Sequence, residues 1–153
     1  MDPRTLVLRY VEAKCRQDAA AALAECTDDF FLETIPFGIR SRDRDETLLH
    51  LKAFFFCFPD YGGTVERTIA EDDVVASWGT LTMTMMGPLG DVAPSGRTAH
   101  YPFVSIFGVR DGKLTYERFF FDLDDLCRQL GVPTAQIRVA LAPFRGDSLR
   151  AVA

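Results

Sequence analysis

At Gly63 the spacing of apolar residues changes from helical to alternating. Before it, apolar side chains recur three and four positions apart; after it, they alternate with polar ones, as strands with one buried face require. Thr64–Ala70, Val74–Met86, His100–Val109 and Leu114–Phe121 read as four strands. Glu71-Asp72-Asp73 is a tight acidic turn between the first two. Arg110-Asp111-Gly112-Lys113 sets Asp-Gly between two strand patterns, a strong hairpin signal. Residues 87–98, with their glycines and prolines, form a longer loop at a rim.

The first part of the chain predicts helices. Leu6, Tyr10, Val11, Ala13 and Cys15 give a mostly helical spacing over 3–16, opened by Asp2-Pro3. An alanine-rich helix over about 18–25 follows, and Asp28-Asp29 then turns the chain into a strand, Phe30 to Ile35. A helix over about 44–57 carries Leu48, Leu51, Phe55 and Phe58 as its core stripe, with His50, Phe54 and Cys57 on one flank. Asp122 caps a closing helix, Leu123–Leu130, which Gly131 stops. Residues 1–133 thus form one domain; residues 134–153 read as a tail with one short segment, Ile137–Leu141. About three helices placed before a single strongly curved sheet must cover one of its faces. The expected fold class is α+β: a cone with a mixed or antiparallel sheet, enclosing a pocket.

Composition narrows the function. The 153 residues suit one domain. A net charge of −5 without a basic stripe argues against nucleic acid or an anionic membrane as partner. Arg40, Arg42 and Arg44 are interleaved with Asp43 and Asp45. The four cysteines, Cys15, Cys26, Cys57 and Cys127, are scattered, with no Cys-x-x-Cys pair and no histidine at ligand spacing, so no metal site is expected. Reduced thiols, with neither a leader nor a membrane-length apolar run, fit a cytoplasmic protein. No phosphate-cradling glycine loop and no Gly-x-Ser-x-Gly elbow occurs. Thirteen phenylalanines, among them Phe30-Phe31, Phe54-Phe55-Phe56 and Phe119-Phe120-Phe121, can fill a core or wall an apolar pocket.

The segments Arg44-Asp45-Glu46 through Phe58-Pro59-Asp60, Gly87-Pro88-Leu89-Gly90, Ser95-Gly96-Arg97, Arg110 to Lys113, and Asp122 through Gln129-Leu130-Gly131 resemble the SnoaL-like polyketide cyclases, within the nuclear-transport-factor-2-like superfamily. The resemblance runs from about residue 5 to 132. It implies a homodimer, no organic cofactor, and a pocket for a small hydrophobic metabolite on the concave face. Ring-closing members carry a histidine–aspartate pair on two neighbouring strands; the gapless match places Ser105 and Phe119 there, which points away from standard aldol cyclase chemistry.

Strand parity sorts the remaining candidates. One face collects Tyr101, Phe103, Ser105 and Phe107 with Thr115, Glu117, Phe119 and Phe121; the other collects His100, Pro102, Val104 and Ile106 with Tyr116, Arg118, Phe120 and Asp122. The first is assigned to the pocket and the second to a subunit interface. Glu117 among phenylalanines is either an acid–base group or half of a salt bridge. Asp122 is a second acid or a helix cap. His50 and His100 titrate near neutral pH, as pocket or packing groups. Glu33 points into the pocket or into water. Tyr10 could donate to a carbonyl, and Phe54 and Trp78 could wall the cavity. The expected activity is a cofactor-independent cyclase or isomerase acting on an apolar, carbonyl-bearing, polyketide-like metabolite. The alternatives are a non-catalytic binder or dimeric scaffold and, more weakly, an epoxide-opening hydrolase.

Overall fold

The computed structural model describes residues 1–145, so the end of the expected tail, 146–153, lies outside the described residues. Helices α1 (Pro3–Cys15) and α2 (Ala19–Ala24) lead into β1 (Cys26–Thr34), a 3-10 turn, and β2 (Ile39–Arg40). Helix α3 (Arg44–Cys57) precedes the meander β3 (Gly62–Glu71), β4 (Val74–Thr84), β5 (Thr98–Arg110) and β6 (Lys113–Phe120). Helices α4 (Leu123–Leu130) and α5 (Thr134–Leu141) and a final 3-10 turn follow.

Aspartates begin the first four helices. Asp2, Asp18, Asp43 and Asp122 each accept a hydrogen bond from a backbone N–H in the first turn that would otherwise lack a partner. The six strands form one curved, unclosed sheet in the order β2-β1-β6-β5-β4-β3. The meander pairs antiparallel and β1 pairs parallel with β6, so the sheet is mixed. Asp111 and Gly112 both take positive φ, 52° and 72°, as the tight turn between right-twisted strands demands.

The concave face buries Val75, Leu81 and Met83 from β4 with Tyr101, Phe103, Ser105 and Phe107 from β5. Helix α1 packs on it through Leu6, Val7, Tyr10, Ala13 and Lys14. This stripe differs from the expected one: it takes Lys14 inside and leaves Val11 and Cys15 at its edge. The convex face bears Ile69, Val74 and Val104, which are exposed, beside half-buried Trp78, Ile106 and Phe120.

Three expectations change. Strand β1 begins at Cys26 and runs through Asp28-Asp29, whose carboxylates lie outside the core and pair with Arg44 and Arg110. Thr115 is not on the concave face. A register shift sets Val109 opposite Leu114 and Gly108 opposite Tyr116, so Thr115 is the extra residue and Leu114 points inward. The short segment expected at Ile137–Leu141 is a helix that begins three residues earlier, at Thr134. Helix α5 buries Ile137 and Leu141 against the domain.

Candidate active site

Between the concave face and helices α3, α4 and α5 lies a cavity of about 310 Å³. The flank of α3 that carries His50, Phe54 and Cys57 forms one wall. Leu32, Thr34, Met83, Tyr101 and Phe119 line the sheet side, and Leu126, Cys127, Ile137 and Leu141 the side of the last two helices. Pro88, Leu89 and Gly90, from the loop after β4, complete the surround. Phe56 and Phe144, 71% and 42% exposed, mark the mouth. Aromatic contacts stiffen the lining: Phe54 meets Phe58 at 5.0 Å and Tyr61 at 5.4 Å, and Phe121 meets Phe119 at 5.2 Å and Tyr101 at 5.4 Å.

Among the described residues, the lining contains no carboxylate. The one ionic group among the described lining residues is Lys14, whose side chain is only 7% exposed. The Lys14 Nζ donates to Glu117 Oε2 at 2.9 Å and lies 5.5 Å from the Phe119 ring centroid and 5.1 Å from that of Tyr10. Glu117 is buried behind this lysine and off the cavity wall. It also accepts from the Tyr10 hydroxyl at 2.7 Å and from Ser105 Oγ at 2.9 Å. A carboxylate removed from water needs such compensation: one opposite charge and two further donors offset a desolvation cost of several kcal/mol. Burial, reinforced by the Glu117 charge, raises the Tyr10 phenol well above its usual range, so Tyr10 stays a donor.

The other ionisable wall groups are pushed toward neutrality. Loss of hydration lowers the pKa of His50, against an opposing pull from Glu46, and raises those of Cys57, Cys127, Tyr61 and Tyr101. His50 sits near the mouth, edge-on to Phe144.

Of the residues singled out from the sequence, His50, Phe54, Tyr101, Phe119 and Phe121 line the cavity. Tyr10 and Ser105 are brought to Glu117, one layer behind the wall, and Phe103 packs against Phe119 there. The rest lie elsewhere. Asp122 is an exposed cap that accepts from the Asp125 N–H at 3.0 Å. His100 is exposed on the convex face, with its Nδ1 2.9 Å from Thr82 Oγ1. Glu33 is buried on that same face, 3.3 Å from Arg118 and 3.8 Å from Arg40, because Leu32 and Thr34 take the inward positions. Trp78 pairs with Val104 on the convex side by the same alternation. The sequence reading missed Lys14, Tyr61 and the whole α5 wall. Lys14 had a signal, since it falls four positions after Tyr10 and eight after Leu6, on the buried stripe of α1.

The family model for the SnoaL-like polyketide cyclases matches residues 4–130. The chain belongs to the SnoaL-like polyketide cyclase family. Its fold recurs in AclR from Streptomyces galilaeus, 24% identical over 84% of this chain and 96% of that one, with a TM-score of 0.71. IdmH from Streptomyces antibioticus is 23% identical over 86% and 100%, with a TM-score of 0.71. An LEH-like epoxide hydrolase from M. tuberculosis is 21% identical over 92% and 94%, with a TM-score of 0.68. At these identities the likeness concerns the fold. No curated protein matches the chain. At the level of the family, the function is of the cyclase or isomerase type. Among the described residues, no helix is long and apolar enough to cross a membrane.

Proposed function

We propose that this SnoaL-like chain is a cofactor-independent cyclase or isomerase whose substrate is an apolar, carbonyl-bearing, polyketide-like metabolite. The observation that carries the reading is the cavity of about 310 Å³, walled by aromatic and aliphatic side chains around one buried ammonium. Such a wall confines a flexible polyketone and brings its reacting carbons together, which supplies rate through lost entropy rather than through a strong base. His50, held toward its neutral form, is the wall group suited to take a proton at the mouth. Glu117 is not assigned that task. Its carboxylate is committed to Lys14, Tyr10 and Ser105, so it holds Lys14 in place.

The test is incubation with linear poly-β-ketone mimics, followed by mass spectrometry. Cyclisation or isomerisation gives a new chromatographic species of unchanged mass, or of that mass less water. Recovery of every mimic unchanged, with measured binding to the cavity, supports the second reading, a non-catalytic binder. That reading has one observation in its favour: among the described residues, no carboxylate reaches the lining.

The working unit in this proposal is a homodimer formed through the convex face. Ile69 is 50%, Val74 39% and Val104 42% exposed there, an apolar surface that a second copy would cover.

A further inference from the structure

We infer that the Lys14 ammonium donates to the carbonyl oxygen of the bound substrate, and that the cavity therefore selects uncharged ketones over carboxylates. The inference rests on the small-molecule reading of the cavity and adds the charge its ligand must carry. An ammonium has three N–H donors. Among the described residues, Lys14 spends one of them, on Glu117. Its side chain is more than nine-tenths buried, and it forms part of a wall that is otherwise nearly all apolar. Its ammonium borders the cavity, so a ligand oxygen there takes the remaining N–H donors at little cost in reorganisation.

The charge count at the wall sets the preference. Glu117 already neutralises Lys14, and Tyr10 and Ser105 keep that carboxylate in place. His50, Cys57, Tyr61, Tyr101 and Cys127 are each driven toward their neutral forms by burial and offer an anion no counter-charge. A ligand carboxylate would set two negative charges around one ammonium, inside a mostly apolar lining. A ketone oxygen takes the same hydrogen bonds without that penalty.

The experiment compares an acetylnaphthalene with the matching naphthoate, by calorimetric titration and by the infrared carbonyl stretch of the bound ketone. The variants are Lys14→Met alone and Lys14→Met with Glu117→Gln, which removes both charges together and keeps the interior balanced. Circular dichroism checks the fold of each. The expected result is that wild type binds the ketone at least about tenfold more tightly than the naphthoate, as the buried-charge penalty implies. Its carbonyl stretch should lie below the value in alkane solvent. The double variant should lose that shift and about tenfold in ketone affinity, the usual weight of a charge-assisted hydrogen bond. A ketone that binds with an unshifted stretch, or a naphthoate that binds equally well, overturns the inference and leaves the proposed function standing. Binding of neither ligand removes both.

Discussion

Lys14 and Glu117 stand 103 positions apart in the chain and 2.9 Å apart in the fold, tying the first helix to the sixth strand beneath the cavity. Neither side chain would be tolerated there alone. Together, with Tyr10 and Ser105, they form a polar unit in an apolar setting.

Glu117→Gln leaves the Lys14 ammonium buried without its counter-charge. Stability should fall by roughly 3 kcal/mol, the usual cost of breaking a buried pair from one side. Adding Lys14→Met should recover more than half of that loss. Urea unfolding of the single and double variants measures both.

His50 has a depressed pKa in the folded chain, chiefly because burial disfavours its charged form, with an ordinary value of 6.5 as reference. The unfolded chain therefore takes up the proton more readily, and the contribution of neutral His50 is fully present above about pH 6.5 and fades as the pH falls below it. His50→Phe should flatten the acid side of the stability profile below about pH 6.5, the reference value. An unchanged slope there would show that His50 stays hydrated when folded.

Strands β4, β5 and β6 were legible because each has one buried and one more exposed face, so parity placed Tyr101, Ser105, Glu117 and Phe119 together. Hairpin chemistry at Asp111-Gly112 and the aspartate caps were equally local signals. Three things were harder to read. Lys14 carries a charge on an apolar stripe, and only a partner more than a hundred residues away explains it. The Thr115 irregularity shifts parity by one, and its glycine, Gly108, sits on the opposite strand rather than on the strand that bulges. Helix α5 follows Pro133 with no side-chain cap, so nothing local marks its start, and its burial depends on the cavity wall it completes.

Asp122→Ala should cost about 1 kcal/mol, through the lost cap of α4. Ligand affinity should not change, because Asp122 faces solvent away from the lining. Thermal unfolding and titration with an aromatic ketone read these two effects separately.

Deleting the chain after Pro133 removes Ile137, Leu141 and Phe144 from the wall. Affinity for an aromatic ketone should drop by roughly tenfold or more, since burying even one such side chain against a ligand is worth about 1.5 kcal/mol. Calorimetric titration of the shortened chain measures it; undiminished affinity would mean that α5 covers the cavity without touching the ligand.

Val104→Asp places a charge in the middle of the exposed convex strip. Sedimentation should change from dimer to monomer, while the cavity on the opposite face keeps its ligand affinity. A wild-type chain that sediments as a monomer contradicts the dimer proposal directly.

The most direct check is a crystal structure of the protein soaked with an aromatic ketone that fits about 310 Å³. The ketone should lie between α3, α5 and the sheet, with its oxygen within hydrogen-bond distance of Lys14 Nζ and Glu117 still behind that lysine. A hollow closed by side chains, or a ketone lodged there with its oxygen turned away from Lys14 toward the mouth, would contradict it.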